Sequence, residues 1–222
     1  MISLQKKFLF IHVPKTGGNS IQSILKDYSE DKIIILEKHQ DGVERFEVRS
    51  DRYKVHKHST LTEYKNMIED SVYNSLFKFS VIRNPWDMMI SWYFSPHRKI
   101  KDWVRDDFQK LIDEVQPLSY YIKDSLLLEN QRSWLSRLNF SQRKIQKGSL
   151  IRDIDFLIRF EYLNEDFKEV CKKIYIPFVE LPLRNKSSRG HYSRYYDEDL
   201  KEKVRSKFSE EIKFGNYEFE QD

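Results

Sequence analysis

Residues Phe8 to Leu25 read FLFIHVPKTGGNSIQSIL. Phe8, Leu9, Phe10, Ile11 and Val13 form a short apolar run of aromatic and β-branched side chains, the composition of a buried strand. Pro14 ends the run, because it has no N–H to give a ladder. Gly17 and Gly18 let the backbone turn tightly and approach a ligand closely, and Asn19 and Ser20 suit the N-cap of a helix starting near Ile21. A strand, a glycine loop carrying Lys15, Thr16 and Ser20, and a helix N-terminus make an anion cradle: loop N–H groups and the positive end of the helix point at the same place. The plainer alternative is an ordinary strand–turn–helix corner. The loop is not a Walker A motif, since Lys15 precedes the glycines and neither GK[ST] nor GxGxxG occurs in the chain.

At 222 residues the chain is expected to form a single domain, 1–222, with a core of its own. Aromatic residues make up 14% of it, which argues against disorder. The net charge of +4 favours anionic ligands, but the basic residues are spread along the chain, so no nucleic-acid partner is expected. Cys171 is the one cysteine, which excludes an internal disulfide and a Cys-based metal site. No run approaches the length of a membrane span, and MISLQKKFLF has no secretory apolar region. A cytoplasmic location is expected.

Working outward, a helix covers about Ser20 to Tyr28, and Lys32 to Leu36 (KIIIL) reads as a second short strand. Asp41 to Arg49 is a surface hairpin or an edge strand. Thr60 and Glu63 match a capping box for a helix over about Leu61 to Glu69. Phe77 to Ile82 (FKFSVI) is a buried strand that runs into Arg83-Asn84-Pro85-Trp86-Asp87, with Asp87 able to cap the helix MMISWYF. Helices are expected over Ile100 to Val115, Tyr120 to Leu138, Asn164 to Ile174 and Asp197 to Phe208. Asp155 to Phe160 is a late strand, and Leu181 to Tyr196 a Pro-, Ser-, Arg- and Tyr-rich loop. Strands alternating with helices imply an α/β fold with a mostly parallel central sheet flanked by helices. In such sheets ligands sit beyond the carboxyl ends of the strands. Both loops, Pro14 to Ser20 and Arg83 to Ser91, leave from such ends.

Arg83 and Ser91 lie eight residues apart, Arg at a strand end and Ser in the following helix. Folded back by Pro85, they bring a planar fork and a hydroxyl to one phosphate. The alternative is a helix-capping Arg and a buried Ser. The pair HVPKTGGNS and FSVIRNPWDMMISWYF resembles the sulfotransferases that use PAPS (3′-phosphoadenosine 5′-phosphosulfate), most closely the carbohydrate sulfotransferases. KHST, RFE at Arg159 to Glu161, LPLRNKS and FGNYEF extend the likeness more weakly over most of the chain. The resemblance implies a P-loop-nucleotide-kinase-like sulfotransferase fold, PAPS as co-substrate, PAP as product and no metal. It implies that Lys15 contacts the oxygen bridging phosphate and sulfate, that Thr16, Gly17, Gly18 and Ser20 cradle the 5′-phosphate, and that Arg83 and Ser91 bind the 3′-phosphate. Asn19 stands where many members carry Thr, with an amide that still donates. The loop from Asn185 to Tyr196 would close over the adenosine side through Arg189.

Transfer to a hydroxyl needs a base, and histidine suits it. His12 lies within the first strand as a structural residue, and His39, His97 and His191 lie in polar or loop contexts. His56 and His58, in VHKHST, fall on one side of an extended strand, where the resembled family often has its base. His58 is the first choice and His56 the second. The alternative for His58 is a helix-flanking residue bonded to backbone. The acceptor implied is a glycan or another hydroxyl-bearing small molecule, with no metal site. Trp86, Trp92, Trp103 and Trp134 are either sugar-stacking faces or core. His97, Arg98, Lys99 and Lys101 either steer an anionic glycan or form a solvated face. The sequence carries nothing on oligomeric state. Two other functions fit the cradle: a nucleotide-kinase-like phosphotransferase, for which a Walker Lys and a Mg²⁺ carboxylate are missing, and a non-catalytic nucleotide- or glycan-binding module.

Overall fold

A computed structural model describes residues 1–38, 44–123, 153–182 and 189–222. The expected helix beyond Lys123, Trp134, and the loop residues 183–188 lie outside these.

The Phe8 run forms β2 (Phe8–Phe10), fully buried. It pairs in parallel with β5 (Phe77–Ile82), Phe8 opposite Phe77 and Phe10 opposite Phe79. β6 (Phe156–Arg159) pairs in parallel on the far side of β5, and β1 (Ile2–Ser3) is antiparallel to β2, giving the order β1-β2-β5-β6. This is the mostly parallel sheet that the alternating pattern predicts.

Residue alternation sends the strand side chains to two faces. Phe8, Phe10, Phe79, Val81 and Ile158 pack on one face with Ile21 and Leu25 of α1 (Gly18–Leu25) and with Phe167 and Val170 of α7 (Leu163–Lys173). Leu9, Ile11, Ile82 and Leu157 pack on the other with α2 (Leu61–Met67), α3 (Asp70–Ser75) and α6 (Leu118–Ile122). Each large apolar side chain so buried contributes about 1.5–3 kcal/mol, so the strands that carry the two loops are held firmly from both faces. A third cluster joins α4 (Pro85–Tyr93) to α5 (Arg105–Glu114) and α8 (Glu198–Lys207), through Trp86, Tyr93, Phe108, Leu111 and Val204. A last helix, α9 (Ser209–Gly215), follows. Among the described residues no helix is long and apolar enough to cross a membrane.

Local differences from the sequence expectations have local causes. KIIIL lies in β3 (Lys32–Lys38), which pairs with β4 (Glu44–Arg49) as a separate antiparallel hairpin. Ile33 packs on the core while Ile34 and Ile35, on opposite faces of the strand, are both exposed, so this apolar run is buried only at its start. Helix α1 begins at Gly18, before Asn19 and Ser20, because Gly17 at φ 85° turns the chain directly into it. Helix α4 is capped by Asn84, whose Oδ1 accepts from Trp86 N at 3.0 Å. Pro85 takes the first helical position, where its missing N–H costs nothing, and Asp87 is freed from capping. Helix α5 starts only at Arg105, because Pro96–Arg98 form a 3₁₀ turn and Lys99 has φ 54°. The Thr60–Glu63 capping box forms as expected, with both reciprocal bonds.

Candidate active site

The loop between β2 and α1 is fastened from several sides. Thr16 Oγ1 donates to Val13 O at 2.8 Å, and Ser20 Oγ donates to Pro182 O at 2.8 Å. Lys15 has φ 65°, an uncommon conformation for a side chain-bearing residue that its surroundings must hold. Arg83 Nη1 does so by donating to Lys15 O at 2.6 Å. The Lys15 ammonium donates to Ser95 Oγ at 3.3 Å. Burial first, then the cations Arg83, Arg189 and Lys57, lower the Lys15 pKa to about 8, so at neutral pH it is still largely charged.

Asp87, Ser91 and Ser95 recur at intervals of four from the start of α4, which places them along one side of the helix and its end. Asp87 bonds Arg83 and Arg189, and Ser95 meets Lys15, so this side looks onto the loop. Ser91, between them in sequence, is half-buried; Lys15, Arg83 and Arg189 come together around the loop and Asp87. The Arg83 guanidinium also lies over the Phe160 ring, 3.9 Å from its centroid. It caps no helix. The RFE acid, Glu161, accepts from Asn84 N at 2.8 Å and from Tyr217 OH at 3.0 Å, bracing the same strand end.

The histidines separate in role. His56 and His58 sit in a turn closed by Ser59 N donating to His56 O at 3.0 Å, and not on an extended strand, so they do not share a side. His56 is exposed, 3.9 Å from Glu63. His58 packs against the buried His12 ring, centroids 4.7 Å apart, with Nδ1 3.0 Å from His12 O. A carbonyl only accepts, so Nδ1 carries the proton there and Nε2 keeps its lone pair. Burial lowers the His58 pKa to about 4, against the opposing bond to His12 and with help from Lys57. The backbone-bonded reading of His58 and the free Nε2 of a base are thus compatible.

His12 is buried, two residues past the end of β2 and not within the strand, and it reaches the loop. A Cβ on Gly18 would lie 2.1 Å from His12 Cδ2. Gly18→Ala is therefore expected to destabilise the protein by about 1–3 kcal/mol through overpacking. Thermal unfolding checks this: a melting temperature equal to the wild type would contradict the packing of the loop on His12. Trp86 is buried in the third cluster, with Trp92 and Trp103 partly buried against it, so these three serve as core. His97, Lys99 and Lys101 are exposed. Sequence reasoning missed Asp87 as an arginine partner, Ser95, Phe160 and Lys57. Only Ser95 had a legible signal, its four-residue interval from Ser91. Among the described residues no group of three or more His, Cys, Asp or Glu side chains is placed to hold a metal ion.

A glycine loop at the carboxyl end of a parallel strand, with an ammonium and two guanidinium groups gathered beside it, defines an α/β protein suited to a polyanionic ligand. A model of the sulfotransferase family matches residues 1–217, and the chain belongs to that family. Comparison with curated proteins and with solved structures gives no match. Sulfuryl transfer is the reaction class that membership carries.

Proposed function

We propose that the protein transfers the sulfuryl group of PAPS to a hydroxyl of an acceptor, a carbohydrate, by in-line displacement. The observation that carries this reading is the approach of Lys15 to Arg83 and Arg189 through Asp87 and the Lys15 carbonyl, with the neutral His58 behind the same loop. Gly17, Gly18 and the first N–H groups of α1, including that of Asn19, face the 5′-phosphate, while the Ser20 N–H closes the turn on Gly17 O at 3.1 Å. The Thr16 and Ser20 hydroxyls hold the loop in shape. Arg83, Ser91 and Arg189 take the 3′-phosphate. His58 Nε2 accepts the acceptor's hydroxyl proton as the new O–S bond forms. The bond from sulfur to the 5′-phosphate oxygen breaks, and PAP leaves with the electron pair, met by the Lys15 ammonium. Donors fixed before the charge develops give the largest share of such catalysis. The displacement needs no metal, and a cytoplasmic location belongs to the same proposal.

Incubation with sulfur-labelled PAPS and a panel of neutral and acidic oligosaccharides, with phenols and sterols alongside, tests the acceptor class. Label on an oligosaccharide hydroxyl is expected. Label on phenols or sterols alone would overturn the carbohydrate assignment.

A further inference from the structure

Arg83 and Arg189 come from distant parts of the chain and meet on one carboxylate. Arg83 donates Nε and Nη2 to Asp87 Oδ2, the first at 2.9 Å. Arg189 Nη2 bonds Asp87 Oδ1 and reaches the Asp87 carbonyl at 3.3 Å. Both arginine side chains are only 10% exposed. Two guanidiniums so close and so dry repel strongly unless an anion lies between them. With Nη1 on Lys15 O and its guanidinium over Phe160, Arg83 cannot swing away without releasing the loop. It still has two of its five N–H donors uncommitted in these bonds. Arg189 Nε is buried and has no acceptor among the described residues, and the Ser91 hydroxyl lies one helical turn past Asp87 on the same side. Donors are thus aimed and unspent around a carboxylate that fixes their spacing.

We propose that Asp87 is a positioning and specificity-determining residue. It holds Arg83 and Arg189 at the separation that a phosphate monoester bridges, and so sets the preference for nucleotides bearing a 3′-phosphate over those without one. The inference rests on the PAPS reading above. A phosphate monoester carries about −1.5 to −2 charges at neutral pH, against a net +1 from two arginines and one aspartate, so the pair takes up the ligand without expelling Asp87.

The test is calorimetric titration of PAP and of adenosine 5′-monophosphate into the full chain and its variants. The wild type is expected to bind PAP more tightly, by at least about tenfold, since even one charged hydrogen bond is worth about that ratio. Asp87→Asn should reduce the PAP-to-monophosphate ratio by about tenfold or more and leave the monophosphate affinity within about threefold, and Asp87→Glu should restore part of it. Tighter PAP binding in Asp87→Asn would overturn the proposal, making Asp87 a competitor of the ligand. An equal loss for both nucleotides would also overturn it, by leaving a merely structural role. If Asp87→Asn does not fold, Arg189→Gln removes one arm of the pair and should lower the same ratio; an unchanged ratio there refutes the proposal. A wild type without preference for PAP would overturn the PAPS reading and this inference with it, whereas a wild-type preference that survives in Asp87→Asn overturns this inference alone.

Discussion

Lys15→Ala is expected to lower the rate of sulfuryl transfer by about 10²–10³-fold, with a much smaller loss of PAP affinity. The reason lies in where its charge stands. The ammonium is partly buried beside Ser95, and the surroundings that depress its pKa to about 8 also keep water from screening it. A cation so placed stabilises the charge that appears on the leaving phosphate only as the S–O bond breaks, so its removal acts on turnover more than on binding. The same pKa, that of the unliganded enzyme, fixes the alkaline side of the pH profile of kcat/KM. Lys15 must be protonated to act, so the rate is full well below about 8 and falls as pH rises through it. Steady-state kinetics of wild type and Lys15→Ala check both points. A variant that loses PAP binding and turnover in equal proportion would show instead that Lys15 serves ground-state binding.

His58→Ala is expected to lower turnover by about 10²–10⁴-fold, the range for a lost general base. His58 is neutral throughout the physiological range because its pKa is depressed to about 4. The base must be unprotonated to act, so activity is lost only as pH falls through about 4, and a plateau should extend from there to the Lys15 limb near 8. The depressed pKa makes His58 a weak base toward water, and its strength lies in position: Nδ1 is tied to His12 O, and Nε2 is left with its lone pair. Normal turnover in His58→Ala would refute the base assignment. An acidic limb near the unperturbed histidine value would show that the ring is wetter than its packing on His12 implies.

The sheet and its loops were legible because the residues that make them are adjacent in sequence. Phe8 to Val13 announces a strand by composition, although only Phe8 to Phe10 form β2 and the chain leaves the sheet before Pro14, and the capping box at Thr60 forms as its spacing predicts. Boundaries were less legible. Gly17, by adopting a left-handed conformation, starts α1 ahead of Asn19, although Asn is the better capping residue on propensity alone. Asp87 has the composition of a cap, but Asn84 caps α4 and leaves Asp87 to Arg83 and to Arg189, 102 residues later. Lys15 meets Ser95 across 80 residues, and nothing local encodes that. His12 read as structural and is buried, but its reach to Gly18 depends on how α1 packs over the strand. His56 and His58 are alike by spacing, and only the turn that closes at Ser59 sends one outward and the other in.

The most direct test of the central claim is thermal unfolding of the purified protein with PAP, and separately with ATP and Mg²⁺. A ligand that binds only the folded state raises the melting temperature in proportion to the logarithm of its excess over its dissociation constant. A clear rise with PAP and little with ATP–Mg²⁺ is the predicted result. A rise with ATP–Mg²⁺ alone would contradict the PAPS reading and favour a phosphotransferase built on the same cradle.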